Sequence, residues 1–219
     1  MHMESFICIC CERRRRAADG HVTVGELGVC RDCWSRISKV PDLDCFEGTR
    51  HTELLIAPFY YGSVMKRTIL RYKFQNQRAY GSVFAQLVAE YAAQFGFLGE
   101  YDALVSVPLS RKRLLERGYN QADLIAKPVA RRLGLEHLHN GLFRSRNTLP
   151  QSTLRGAERF INVREAFIAD PRKIDGKNII LFDDVFTMGM TMESCAAELK
   201  EKGAGKIAAM SLAVVKNHV

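Results

Sequence analysis

The stretch from Ile179 to Thr191, IILFDDVFTMGMT, joins an apolar run to two acids and then to a hydroxyl and glycine turn. A strand that ends at the start of a helix presents unpaired N–H groups and the positive end of the helix dipole, which suits a phosphate. Gly189 lets the backbone come close to an anion. Thr187 and Thr191 add hydroxyl donors, while Asp183 and Asp184 stand where carboxylates accept hydrogen bonds from ribose hydroxyls. Each feature alone has a plainer explanation as a strand end or a helix cap. Their fixed order in one segment favours a sugar-phosphate site.

A second chemistry lies at the other end of the chain. Six of the seven cysteines fall within the first 45 residues, and Cys195 is the exception. Cys8-x-x-Cys11 and Cys30-x-x-Cys33 are separated by 18 residues, a spacing that lets four thiolates surround zinc tetrahedrally. Cys10 competes with its neighbours for a place at the metal, and Cys45 is left over. Four thiolates leave no position for water, so the zinc is expected to organise the segment rather than react. His21 reads as a loop residue and Trp34 as packing under the knuckle. Arg13 to Arg16 could track a nucleic-acid backbone or form a solvated turn.

Elements must hold these groups in place. Residues 1–50 are rich in Cys and Arg and end in a loop at Pro41, Asp42, Asp44 and Gly48, which bounds a cysteine module ahead of a larger domain over 51–219. Apolar patterning predicts strands at Leu54–Tyr61, Asp102–Val107, Asn178–Phe182 and Lys206–Val215. It predicts helices at Val64–Phe74, Val83–Phe95, Asn120–Leu133 with a kink at Pro128, and Thr191–Lys202 closed by Gly203. This alternation implies an α/β fold whose mostly parallel sheet is covered on both faces. The chain of 219 residues, 47% hydrophobic, has the mass to bury about 70% of its unfolded surface. Its net charge of +8 favours anionic partners, nucleic acid or pyrophosphate-bearing metabolites. Without a membrane span or a secretory signal, the expected location is cytoplasmic.

FDDVFTMGMT resembles the signature by which type I phosphoribosyltransferases bind phosphoribosyl pyrophosphate (PRPP). The resemblance implies that Asp183 and Asp184 hold the ribose hydroxyls and that Thr187, Met188, Gly189, Met190 and Thr191 cradle the 5-phosphate. Met188 stands where that family usually carries Thr or Ser, which implies weaker binding through the surviving backbone donors. In the segment VSVPLSRKRLLERGYNQA the same resemblance makes Pro108, Leu109, Ser110 and Arg111 the pyrophosphate loop, with Arg113 and Arg117 as cations on the leaving diphosphate.

The string RGYNQA, Gln151, the run Arg159–Asn162 before Ala166 and Phe167, the segment Phe59–Phe74 with its YKF, and the cysteine module together resemble the ComF family, also called competence protein F. The resemblance covers most of the chain. It implies a type I phosphoribosyltransferase-like, doubly wound sheet with an N-terminal zinc module at Cys8, Cys11, Cys30 and Cys33. It also implies a role in natural transformation, handling incoming single-stranded DNA beside a competence helicase. The alternative is a metabolic enzyme that moves ribose 5-phosphate from Mg-bound PRPP to a nitrogen base. That enzyme needs a hood over the base, and with few residues after Val215 the hood must come from the zinc module and the segment to about residue 75.

Overall fold

The computed structural model describes residues 5–144 and 167–216; Gln151, Arg159–Asn162 and Ala166 lie outside the described residues. The cysteine-rich segment is a small sheet of four strands, β1 (Ser5–Cys8), β2 (Arg14–Arg16), β3 (Gly20–Val24) and β4 (Leu27–Cys30), in the order β2-β1-β4-β3. One helical turn, α1 (Arg31–Trp34), follows. Strands this short carry little apolar periodicity, so the sequence showed only the metal spacing.

The large sheet contains β5 (Phe46–Glu47), β6 (Leu54–Ile56), β7 (Phe59–Tyr60), β8 (Ala103–Ser106), β9 (Glu136–His137), β12 (Ile179–Phe186) and β13 (Ile207–Val214). Its order is β5-β6-β13-β12-β8-β9, with β7 also pairing β13. Only β5 runs antiparallel. All eight residues of β13 are buried, as a strand covered on both faces requires. Between the two sheets the apolar core is continuous, from Phe6 to Val214.

The helices are α2 (Ser63–Phe74), α3 (Tyr80–Ala92), α4 (Arg111–Arg117), α5 (Gln121–Leu133), α6 (Pro171–Ile174) and α7 (Met190–Glu201). Two further strands, β10 (Leu142–Arg144) and β11 (Phe167–Ala169), form an antiparallel pair. Among the described residues no helix is long and apolar enough to cross a membrane.

Several boundaries differ from the sequence reading for physical reasons. The strand expected over Leu54–Tyr61 is divided at Ala57-Pro58, since proline has no N–H for the ladder. The expected helix Val83–Phe95 begins and ends three residues earlier. The strand expected to stop at Phe182 continues through both acids to Phe186. Pro128 sits inside α5 without ending it, and Asn120 caps that helix by accepting from the Ala122 N–H.

Arg71 of α2 fastens the cysteine sheet to the larger one. Its guanidinium meets Glu12 at 2.8 Å and donates to the carbonyls of Ile9 at 3.0 Å and Cys10 at 2.6 Å. An apolar replacement leaves those carbonyls without a donor. Arg71→Met is therefore expected to lower stability by about 1–3 kcal/mol in urea denaturation of the metal-loaded protein. An unchanged midpoint would show that the fastening is incidental.

Candidate functional site

Successive strand residues face opposite ways, so Asp183 and Asp184 inside β12 leave on different faces. Asp183 lines a cavity of about 130 Å3 together with Val185, Phe186 and the whole loop from Thr187 to Thr191. Asp184 is buried and does not line that cavity. Its Oδ1 meets Lys73 Nζ of α2 at 2.6 Å. The two acids therefore share a strand without sharing a pocket. Lys73, quoted above only within YKF, is a site residue that sequence reasoning left without a role. No local pattern connects it with an acid so distant in the chain.

Burial first, and then the adjacent Asp184 carboxylate, push the Asp183 carboxyl up to about 7. Lys73, the Asp184 N–H at 2.8 Å and Arg113 oppose that rise.

Gly189 begins α7 at φ +70°, and a Cβ there would stand 2.8 Å from Phe186 Cζ and 3.2 Å from Thr49 Cγ2. The turn thus needs glycine on both counts, conformation and space. Met188 is 70% exposed, so its side chain lies mostly in solvent. Behind the turn, His51 Nδ1 and Glu193 Oε1 approach to 2.6 Å, and the His51 N–H donates to Glu193 Oε2 at 3.1 Å. Neither residue had been singled out from the sequence.

The register of β8 beside β12 aligns Ser106 with Phe182, and the Val107 N–H donates to the Phe182 carbonyl at 2.8 Å. The segment Pro108–Arg111 consequently starts one strand away from Asp183. Pro108, Leu109 and Arg111 line a separate cavity of about 450 Å3, while Ser110 caps α4 by accepting from the Arg113 N–H at 3.3 Å. Residues 108–110 are irregular after β8, and the basic stretch that follows, Arg111–Arg117, is the short helix α4. Arg117 donates to Gln121 Oε1 at 2.8 Å and lies over the Phe74 ring at 4.9 Å. Burial lowers the Arg117 pKa against the pull of Asp184. A further cluster, Ser106 with Asp123 at 2.9 Å and His137 with Asp123 at 3.2 Å, had no sequence signal because its members come from β8, α5 and β9.

Cys8, Cys11, Cys30 and Cys33 converge, with all four sulfurs within 4.8 Å of one another. A tetrahedral Zn–S site, with bonds of about 2.3 Å, sets sulfurs about 3.8 Å apart, so the set can hold such an ion after slight contraction. N–H donors surround it: the Cys30 backbone on Cys8 at 3.4 Å, Arg15 on Cys11 at 4.0 Å and Arg36 on Cys33 at 4.0 Å. These offset the negative charge that four thiolates build up. Cys10 is buried outside the set. Its S–H is the main cause that holds Cys8 down to about 3. His21 lies on β3 rather than in a loop and stacks on Trp34 at 3.7 Å; Trp34 meets Phe59 edge-on at 5.8 Å.

The raised Asp183 carboxyl has a consequence for stability. Unfolded, it loses its proton near about pH 4, whereas folded it keeps it to about 7. The folded state binds more protons in that window, so this group's contribution is complete below about 4 and is lost as pH rises through about 7. In calorimetry without ligand, Asp183→Asn should gain on the wild type in melting temperature from pH 5 to pH 8. A difference that stays flat or shrinks would contradict the shifted carboxyl.

Comparison with known proteins places the chain. No family model matches it. It is similar to Competence protein F of Haemophilus influenzae, at 26% identity over 97% of this chain and 99% of the relative. It also resembles DNA utilization protein YhgH of Escherichia coli K12, at 27% over 92% and 87%. Among solved structures, an adenine phosphoribosyltransferase from Thermoanaerobacter pseudethanolicus matches with TM-score 0.41 and 15% identity, over 84% of this chain and 98% of that one. A glutamine PRPP amidotransferase from B. subtilis matches with TM-score 0.41 and 20% identity, and there the chain spans 26% of the longer protein. With Competence protein ComFC of Streptococcus pneumoniae the identity is 31% over 84% of this chain and 74% of the relative, and the chain belongs to the ComF family of competence proteins.

Proposed function

We propose that this chain is a PRPP-binding, phosphoribosyltransferase-like ComF protein that acts in natural transformation, in the uptake and handling of incoming single-stranded DNA. The names of its relatives, competence protein and DNA utilization protein, support the process. One observation carries the ligand: Asp183 and the turn Thr187–Thr191 line a single cavity where α7 begins. In this reading the N–H groups of Gly189, Met190 and Thr191 and the hydroxyls of Thr187 and Thr191 hold the 5-phosphate. Asp183 accepts from a ribose hydroxyl. Asp184, neutralised by Lys73, keeps the strand end rigid beside it.

Pro108–Arg111 with Arg113 and Arg117 would face the diphosphate, whose charge grows if the anomeric bond breaks. Magnesium, when bound with PRPP, would neutralise the diphosphate and take most of its ligands from the phosphates and water. Asp184 is already engaged by Lys73, which supports that division. Zinc at Cys8, Cys11, Cys30 and Cys33 is proposed as a structural ion that shapes the small sheet.

A thermal titration with Mg–PRPP tests the ligand. At a concentration near 100 times Kd it should stabilise the wild type by about 2.7 kcal/mol and leave Asp183→Ala unmoved. No shift in the wild type would remove the sugar-phosphate reading. Salt-sensitive binding of single-stranded DNA that survives Asp183→Ala and Asp184→Ala would support a DNA-handling protein. Pyrophosphate release on addition of a free base, without DNA, would instead identify the metabolic transferase.

Metal analysis tests the cysteine set. Cys8→Ser should cost the bound zinc and Cys10→Ser should retain it, and equal loss from both would refute the four-thiolate assignment.

A further inference from the structure

Where the cysteine module meets α2, a cleft of about 340 Å3 is lined by five guanidiniums, those of Arg13, Arg15, Arg36, Arg67 and Arg71. They come from β2 and the turn before it, from just beyond α1, and from α2, so the fold assembles a cluster that the sequence shows only in its Arg13–Arg16 part. Three of the five are committed. Arg71 holds Glu12 and two carbonyls, Arg15 pairs with Asp32 at 3.4 Å and reaches Cys11, and Arg36 donates to the Asp32 carbonyl at 3.0 Å and to Cys33. The side chains of Arg13 and Arg67 have no hydrogen-bond or acidic partner among the described residues, and both open into the same cleft.

The local charge does not balance. Against five cations stand the carboxylates of Glu12 and Asp32, and a metal held by four thiolates would add two negative charges, of which Cys11 and Cys33 line the cleft. An excess of positive charge remains even then. Guanidiniums kept together against their repulsion, two of them with unfilled forks, match the paired oxygens of a phosphate better than a single carboxylate. Lysine is absent from the lining, so the cluster is built from forks rather than from point charges.

We propose that this cleft is a phosphate-binding site, separate from the turn at Thr187–Thr191, in which Arg13 and Arg67 are the residues that grip a phosphate group. Arg15, Arg36 and Arg71 set the field and the walls. The site takes either a phosphate of a single-stranded nucleic-acid backbone or a free phosphate ester. It stands independently of the sugar site, since none of its lining residues belongs to that cavity.

The test uses the full, zinc-loaded chain and labelled oligothymidylate, with inorganic phosphate as competitor. Two double variants remove the same charge: Arg13→Gln with Arg67→Gln inside the cleft, and Arg131→Gln with Arg132→Gln on the exposed last turn of α5. Both should keep their zinc. The cleft variant is expected to weaken oligothymidylate binding about tenfold and to flatten the salt dependence by about 1.4 in slope, two contacts at about 0.7 each on a single strand. The surface variant should bind nearly as the wild type does. Displacement of the oligonucleotide by millimolar phosphate assigns the site to a phosphate ester, and resistance to it assigns the site to the extended backbone. Equal weakening in both double variants, or in neither, overturns the proposal. Asp183→Ala should bind oligothymidylate like the wild type, so a failure here leaves the sugar site untouched.

Discussion

Two carboxylates on consecutive residues of an interior strand repel each other in a medium that screens poorly, and both must also be taken from water. Asp183 and Asp184 meet this constraint by division. Asp184 points to one face and is met by Lys73, so one charge is balanced inside the protein. Asp183 points to the other face, into the cavity with the turn, and its proton is held well above the ordinary carboxylate range. An ion pair this well enclosed contributes little net stability, but a lone carboxylate in its place would be costly. The pair therefore explains why α2 must end where it does, with its last turn against the C-terminal end of β12.

That requirement ties the two parts of the molecule together. Residues two apart on a helix point about 200° away from each other, so Arg71 and Lys73 face opposite sides of α2. Arg71 grips the cysteine module and Lys73 the acid strand, and between them Tyr72 is buried, with its hydroxyl donating to the Gln121 carbonyl at 2.9 Å. Tyr119 returns a hydrogen bond to the Tyr72 carbonyl. One turn of helix thus fixes the cysteine sheet, the start of α5 and the acid pair relative to each other. A displacement of α2 at either end would be felt at the other through packed, hydrogen-bonded contacts rather than through a flexible linker.

The parts legible in the sequence were those whose chemistry is local. Asp183 through Thr191 lie in one segment, and two Cys-x-x-Cys pairs announce their own spacing, so the acid pair, its turn and the four-sulfur cluster could be read directly. The alternation of β8, α5, β12, α7 and β13 followed from apolar runs, with Asn120 opening one helix and Gly203 closing another. Other features depend on tertiary contacts. That Asp184 turns away from the cavity follows from the strand continuing past Phe182, which apolar patterning could not show once acids interrupted it. Lys73, His51 and the arginines of α2 gain their meaning only from partners far off in the chain. The small sheet was hidden because strands of three to five residues, held by sulfurs and arginines, need no apolar repeat.

Glu193 places an acid in the first turn of the helix whose start we propose as a phosphate site. A carboxylate there would ordinarily cap the free N–H groups and compete with a phosphate for the dipole. Here burial would raise its pKa, yet hydrogen bonds from Thr49 and from both the ring and the backbone of His51 outweigh that and hold it low. The same hydrogen bonds draw the carboxylate to the side of the helix where residues 49–52 lie. Thr49 also supplies one of the two walls that exclude any side chain at Gly189. The segment before β6 therefore does two things for the turn: it engages the competing acid, and it keeps the backbone bare where an anion would approach. In the proposed phosphate site the donors would be main-chain groups, so Met188 standing in solvent removes none of them, and the missing hydroxyl would be a loss of one contact rather than of the site.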